Sequence, residues 1–463
     1  MDDGWAASGR ARRSGGRCSP AGDRRADPGV GDMRRVTVVG HDGGGLSAAA
    51  GAALARATLV AGGARHLSGL DVAAECLVMG PVAPVVARVA AHDGEAVVLA
   101  SGDPGFFGIV AALRRAGVEP VVIPAVSSVA AAFARAGLPW DDALVVSAHG
   151  RDGAAAASAL RDDPFLWTLE DAPIGAAGVH KNGSSPAGGL RRAVNVCRAY
   201  PKVAVLTAPG GGPAELGAAL AGWPRTLVVA ERLGTAQERL VTVEAADAAA
   251  GTWADPNVVL VLDPDRPQLG PRPGWIAGAG PGPAGWALPE AAYAHRDSMI
   301  TKAEVRAYVL ARLGPRLGDL VWDVGAGSGS VAAECARFGA AVLAVERDPA
   351  ALPLITANTA GLGVRLVGGG APDCLAGLPE PDAVFVGGGG PPVLAACVAR
   401  RPARIVTALA GLERVGPVLG VLGDAGYRTE GVQLQASRLS PLPGGSHRLA
   451  ATNPVFVVSG ELP

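Results

Sequence analysis

From Arg35 onward, short runs of aliphatic and β-branched residues alternate with alanine-rich stretches of helical spacing. The runs are Val36 to Val39, Ala96 to Ala100, Glu119 to Ile123, Ala143 to Ser147, Val203 to Thr207, Thr226 to Ala230 and Val258 to Leu262. Strand alternating with helix predicts an α/β fold. The runs are continuously apolar rather than alternating, which predicts strands covered on both faces. Between Asp263 and Pro289 the pattern stops in seven prolines and repeated glycine, so a linker is expected over 263–289. A second series opens near Ala291, with strands expected at Leu320 to Val324, Val342 to Glu346, Val364 to Val367, Ala383 to Val386, Ile405 to Ala408 and Val455 to Val458. The chain therefore reads as two α/β domains, 34–262 and 290–463. Residues 152–189 lack periodicity and precede a clean helix-strand unit, which predicts an exposed insertion in the first domain.

Composition narrows the function classes. With 463 residues, two or three domains are expected. The net charge of −1 gives no electrostatic signature of nucleic-acid or membrane binding. Lysine occurs only at 181, 202 and 302 while arginine is abundant, a compositional bias that forbids reading every arginine as functional. The cysteines at 18, 76, 197, 335, 374 and 397 never form CxxC, so neither a metal centre nor a disulfide framework is expected, and a cytoplasmic setting follows. No apolar run reaches the roughly 18 residues of a membrane span. Residues 1–33 are rich in Arg, Gly and Asp without the apolar core of a signal peptide. They are expected to be a disordered extension, with Met33 a candidate start.

The most informative stretch is Val321-Trp-Asp-Val-Gly-Ala-Gly-Ser-Gly-Ser330, an apolar run that enters a glycine-rich turn and leaves into a helix. Gly325, Gly327 and Gly329 let the backbone approach a ligand, and Glu346, about twenty residues on, ends the next strand where it can bind ribose hydroxyls. The DxGxGxG form with Asp323 at the strand end is the arrangement of S-adenosylmethionine enzymes, with Asp323 accepting from a ligand amine. A nicotinamide dinucleotide stays open as the alternative. Upstream, Ser298 to Arg306 reads as a helix that sets Lys302 and Arg306 four residues apart, a spacing that can clamp a substrate carboxylate or simply face solvent.

In the first half, three polar loops follow strands: Ser101-Gly-Asp-Pro-Gly-Phe-Phe-Gly108, Pro124-Ala-Val-Ser-Ser-Val129 and Ser147-Ala-His-Gly-Arg151. Open α/β sheets bind ligands at that edge. On these loops, together with Leu138-Pro-Trp140, residues 34–262 resemble the tetrapyrrole methylase family, in particular its precorrin C5 methyltransferase branch. The resemblance implies a fold of two subdomains with S-adenosylmethionine in the cleft between them, and Gly102, Asp103 and Ser128 as its contacts. The family's first glycine loop usually reads GxGPG, whereas this chain has Gly40-His-Asp-Gly-Gly44. His41 there is either a substrate-side group or a solvated loop histidine.

Ile300-Thr-Lys-Ala-Glu-Val-Arg306, Trp322 to Ser330, Ala344-Val-Glu-Arg-Asp348, Gly369-Gly-Ala-Pro372 and Pro381 to Gly389 resemble the decarboxylating precorrin C15 methyltransferases, over nearly all of 290–460. The implied fold is a Rossmann-like class I S-adenosylmethionine methyltransferase, with Thr301, Gly325, Ala326, Gly327, Ser328, Gly329, Glu346 and Ala371 as cofactor contacts. Gly387-Gly-Gly-Gly390 replaces the Asn/Asp-Pro-Pro-Tyr of many amino-group methyltransferases, which disfavours DNA adenine methylation. Both modules in this order resemble the fused, decarboxylating C5,15-methyltransferase family of cobalamin biosynthesis. That likeness implies methylation at C5 and C15 of a precorrin and loss of CO₂ from the C12 acetate, with two S-adenosylmethionines consumed and no metal required.

Lys302, Arg306 and His295 are the catalytic candidates, the cations positioning carboxylates and His295 protonating or orienting the macrocycle. The expected partner is a small tetrapyrrole, with neither nucleic acid nor membrane, in a homo-oligomer. Three alternatives stand: the cobalt-containing substrate, an N-terminal half that only binds S-adenosylmethionine as a scaffold, and a nucleic-acid methyltransferase, which the charge disfavours.

Overall fold

The computed structural model describes residues 35–148, 186–266, 277–278, 280, 282–296 and 299–463. The expected N-terminal extension, the insertion up to 185, residues 267–276, 279 and 281 of the linker and His149-Gly150-Arg151 lie outside the described residues. Residues 186–189, assigned to the insertion, open the helix Pro186–Ala199.

The strands form three principal sheets. The first holds β1 (Val36–His41), β2 (Leu59–Gly62), β3 (Glu75–Val78), β4 (Ala96–Ser101) and β5 (Val121–Ile123), all parallel, in the order β3-β2-β4-β1-β5. Central β1 and β4 are buried along most of their length, as their continuous apolarity predicts. Strand β5 departs from that expectation. As an edge strand it leaves Val121 and Val122 exposed.

The second sheet holds β6 (Leu144–Ser147), β7 (Lys202–Leu206), β8 (Thr226–Glu231), β9 (Arg239–Glu244) and β10 (Asn257–Leu262), in the order β6-β7-β10-β8-β9. It is mixed: β6 and β7 run parallel, while β10 runs antiparallel to both β7 and β8. Buried Lys202, one of the chain's three lysines, ion-pairs with Asp142 at 2.6 Å and donates to the Pro139 carbonyl, so its role is structural.

The third sheet carries the second half. Strands β11 (Leu320–Val324), β12 (Ala341–Glu346), β13 (Val364–Gly368), β14 (Ala383–Val386) and β15 (Arg404–Leu409) are parallel, while β16 (Arg428–Leu434) and β19 (Val455–Glu461) close one edge antiparallel, in the order β13-β12-β11-β14-β15-β19-β16. Trp322, fully buried in β11, lies at the heart of one apolar layer, and Val309, Leu313, Val342 and Phe385 of the other. A hairpin of β17 (Ser437–Pro441) and β18 (His447–Ala451) projects from this sheet with Leu439 and Leu449 paired across it and exposed.

The two halves meet end to end. Buried Asn195 on the helix Pro186–Ala199 donates to the Gly318 carbonyl at 3.0 Å and to Asp382 at 3.3 Å, and Arg191 pairs with Asp382 at 2.9 Å. Ala199, Tyr200 and Trp223 pack into the core of the third sheet. These residues of the second sheet precede β7 and β8, and their partners Gly318 and Asp382 precede β11 and β14. The contact thus joins amino-terminal strand ends, which leaves the carboxyl ends of the parallel strands β6 and β7 and of β11 to β15, where α/β ligand sites form, turned away from it.

Candidate active sites

At the carboxyl edge of the third sheet, β11 passes into the turn Gly325 to Gly329, with φ +73° at Gly325, +57° at Gly327 and +75° at Gly329. Only glycine adopts these values readily. Space is also short: a Cβ at Gly325 would lie 3.0 Å from the Gly388 nitrogen, and one at Gly329 3.1 Å from Ile355. The turn leads into the helix Ser330–Arg337. Glu346, at the end of β12, accepts from the Gly327 N–H at 2.8 Å and from the Asp348 N–H at 2.9 Å, so the acid expected for ribose is held against the turn. Ser328 is buried, and its carbonyl accepts from Asn358. Ala326 and Ala371 pack against the cores on either face.

Asp323 departs from its expected role. Its side chain lies beneath the turn and is 1% exposed, with Oδ2 accepting from the Ala332 N–H at 2.8 Å and Oδ1 without a partner among the described residues. Burial, with help from the Glu346 charge, pushes its pKa up to about 7. The carboxyl supports the helix N-terminus from below and does not face a ligand amine in this conformation.

The pairing of Lys302 with Arg306 is corrected as well. Lys302 caps the helix Ala303–Leu313, whereas Arg306 belongs to the face that this helix buries with Val305, Val309, Leu310 and Leu313. The Arg306 side chain is fully enclosed: it donates to the carbonyls of Thr301 and Leu288, lies over the Tyr293 ring at 4.9 Å, and approaches Glu334 at 3.6 Å. Glu334, also fully buried, accepts from the Tyr293 hydroxyl at 2.7 Å and the Leu288 N–H at 2.8 Å. Arg306 therefore fastens the segment before its helix to the body of the sheet. That segment contains half-buried His295 and Thr301. Asn358 ties its Ala294 to the glycine turn through hydrogen bonds of 2.7 and 2.8 Å to Ala294 and 2.7 Å to the Ser328 carbonyl.

Beside the turn, a cavity of about 210 Å³ opens at the carboxyl ends of β14 and β15, lined by Gly387, Gly388, Pro391, Thr407, Leu409 and Arg414. Arg414 is exposed. Sequence reasoning missed it because one arginine among many in a helix-rich stretch carries no local signal.

In the first half, the sequence-predicted residues converge. Gly102 has φ +62°, and a Cβ on it would lie 3.1 Å from the Ser128 nitrogen. Asp103 turns its Oδ1 onto the Gly105 N–H at 2.8 Å, and Ser127 caps the helix Ser128–Ala136 through the Val129 N–H. Asp42 and Gly43 lie against Leu233 and Gly234 of the loop after β8, so the altered first loop meets the second sheet. Gly102 and Ser128 lie at adjoining loops, and Asp103 shapes the turn between them.

A glycine turn feeding a helix, an acid closing the neighbouring strand and a second module of two α/β sheets with polar loops at its strand ends fit a two-module methyltransferase of the S-adenosylmethionine class. Residues 39–249 match the family described as tetrapyrrole (corrin/porphyrin) methylases, and residues 291–459 match the precorrin methyltransferase domain. A Sinorhizobium protein named precorrin-6Y C(5,15)-methyltransferase [decarboxylating] is 34% identical over 374 residues, covering 77% of this chain and 78% of that protein. A Pyrobaculum calidifontis protein named as a probable cobalt-precorrin-6B C(15)-methyltransferase (decarboxylating) is 38% identical over 171 residues, 35% of this chain and 87% of its own length. Among solved structures, the C-terminal domain of precorrin-6Y C5,15-methyltransferase from Rhodobacter capsulatus is 35% identical and covers 38% of this chain and 97% of that one, with TM-score 0.35. The chain belongs to the precorrin-6Y C5,15-methyltransferase (decarboxylating) family.

Proposed function

We propose that this enzyme methylates a metal-free precorrin at C5 and C15 and removes CO₂ from its C12 acetate, using S-adenosylmethionine for both methylations. The N-terminal module, 34–262, takes the C5 step and the C-terminal module, 290–463, the C15 and decarboxylation steps. The observation that carries this reading is the presence of both modules, in this order, across a relative matched over 78% of its length. The glycine turn fits the methyl donor, because positive φ at Gly325, Gly327 and Gly329 folds the backbone tightly at the strand end and a Cβ at Gly327 would project into open space beside it. Gly325, Ala326, Gly327, Ser328, Gly329, Thr301, Glu346 and Ala371 would hold it in the C-terminal module, and Gly102, Asp103 and Ser128 in the N-terminal one. Bound S-adenosylmethionine supplies an electrophilic methyl group.

The acceptor is an electron-rich macrocycle carbon, so the protein's task is alignment rather than strong-base chemistry. Arg414, at the cavity beside the glycine turn, replaces the buried Arg306 as the cation for a substrate carboxylate, with Lys302 at the end of the segment that Arg306 fastens. In the decarboxylation, the bond to the carboxylate carbon breaks, its electron pair passes into the conjugated ring, and a proton reaches the remaining methylene to give a methyl group. His295 is the proposed source of that proton. The paired, exposed Leu439 and Leu449 support association of at least two copies, which sedimentation would test.

Incubation with S-adenosylmethionine and precorrin-6B, followed by mass spectrometry, tests the reading. The expected product has gained two methyls and lost one CO₂. No change would refute the metal-free substrate, and conversion of the cobalt form alone would favour the reading that the 38% identity to the cobalt-precorrin relative supports.

A further inference from the structure

At the carboxyl ends of β2, β4 and β1 in the first sheet, four side chains gather that no role above uses. His41 ends β1, Ser101 ends β4, and Arg65 and His66 follow β2. Arg65 donates through Nη2 to the Ser101 hydroxyl at 2.5 Å and through Nε to His66 Nε2 at 3.3 Å, and the rings of His41 and His66 lie 5.3 Å apart. Ser101 immediately precedes the Gly102 turn, whose N–H donates to the His41 carbonyl at 2.7 Å. The cluster is therefore continuous with the proposed methyl-donor residues along one sheet edge.

The hydrogen bonds assign the free valences. His41 Nδ1 accepts from the Gly43 N–H at 3.2 Å, which places the proton of a neutral ring on Nε2 and leaves an N–H donor. His66 Nε2 receives the Arg65 N–H, so His66 serves to orient the guanidinium. Burial, Arg65 and His41 together hold the His66 pKa down to about 4, so the ring is neutral near pH 7 and its Nε2 can accept the Arg65 N–H. Among the described residues no carboxylate pairs with Arg65. The neighbouring acid Asp42 is instead turned onto the Gly44 N–H at 3.1 Å. A cation oriented by a histidine and a hydroxyl, with a second donor at its side, is suited to an anionic oxygen pair.

We propose that Arg65 and His41 form a carboxylate-binding subsite of the N-terminal module, holding an acetate or propionate side chain of the tetrapyrrole so that its C5 edge meets the Gly102 turn. The subsite rests on the reading of this module as the C5 methyltransferase. It gives the altered loop Gly40-His41-Asp42-Gly43-Gly44 a substrate-side task and makes Arg65 and His41 specificity determinants.

Full-length Arg65→Ala, Arg65→Lys and His41→Ala test the subsite with precorrin substrate, following C5 methylation and CO₂ release separately. Arg65→Ala should raise the KM of the C5 step roughly ten- to a hundredfold, the range for losing a hydrogen bond to a charged group. The kcat should change less, Arg65→Lys should recover part of the loss, and S-adenosylmethionine binding should persist as evidence of an intact fold. Unchanged KM in both Arg65→Ala and His41→Ala overturns the proposal. If the wild-type chain adds no methyl at C5, the reading of the module fails on its own, and binding of uroporphyrin, a stable polycarboxylate tetrapyrrole, decides the subsite instead. Two molecules per wild-type chain falling to one in Arg65→Ala supports it, and equal stoichiometry overturns it.

Discussion

Replacing Asp323 by Asn isolates the cost of a buried carboxyl beneath the glycine turn. In the folded chain the pKa of Asp323 is about 7, against 3.8 for the free side chain. A carboxyl raised in this way binds its proton more tightly in the folded state. Its effect on stability is therefore most favourable below about pH 4, declines as the pH rises toward 7, and is a full penalty above that. A difference of about 3 pH units, at about 1.4 kcal/mol per unit, sets a ceiling of about 4 kcal/mol.

The amide of the Asp323→Asn variant would keep an acceptor for the Ala332 N–H but bury its NH₂ with no partner at the Oδ1 position, a cost of about 1–3 kcal/mol. The variant is thus expected to be less stable than wild type at pH 4 and more stable, by about 1–3 kcal/mol, at pH 8. Urea unfolding between pH 4 and 8, followed by tryptophan fluorescence to which buried Trp322 contributes, reads the difference directly. A pH-independent difference would refute the reasoning. A tenfold loss of S-adenosylmethionine affinity at unchanged stability would show that the carboxylate reaches the ligand after all.

Three further substitutions separate the roles assigned in the C-terminal module. Glu346→Ala removes the acceptor of the Gly327 and Asp348 N–H groups, so equilibrium dialysis with labelled S-adenosylmethionine should show one of two sites lost or weakened about tenfold or more, and two undiminished sites would count against it. Arg306→Ala should cost about 1–3 kcal/mol of stability by leaving the Thr301 and Leu288 carbonyls without their buried donor, since Arg337 still pairs with Glu334 at 3.0 Å, with substrate KM nearly unchanged in the folded fraction; a raised KM at full stability would restore the carboxylate clamp. Arg414→Ala should raise the KM for CO₂ release while leaving C5 methylation intact, and equal effects on both steps would place Arg414 outside the C-terminal site.

What the sequence revealed of the fold follows from which strands are buried. Runs such as Val203 to Thr207 and Val258 to Leu262 are apolar throughout because they lie in sheet interiors, so they stand out from their surroundings. Strands β3, β9, β16, β17 and β18 escaped notice for the opposite reason: their residues are largely exposed, and Arg239–Glu244 or Arg428–Leu434 reads as polar loop until a neighbour supplies the pairing. Strand β2 was missed although it is fully buried, because its four residues Leu59–Gly62 are too few to stand apart from the alanine-rich stretch before them. Continuous apolarity also left strand direction open. In β10 both faces are covered although both of its neighbours run antiparallel to it.

The sites divide along a similar line. Glycines at 325, 327, 329 and 102 were legible because a positive φ leaves a mark on residue choice that no distant contact can mimic. Charged residues leave no such mark, since their meaning depends on what the helix face meets. Four residues of spacing brought Arg306 and Lys302 together in sequence, yet Lys302 stops at the cap and Arg306 turns inward to Glu334 and Tyr293. Glu334, Tyr293 and the Leu288 backbone come from separate segments, and only their convergence makes burial of the guanidinium tolerable. The same convergence explains why Arg65 and His66 were passed over. Their partner Ser101 is more than thirty residues away, at the end of a strand whose position beside β2 only the sheet order reveals.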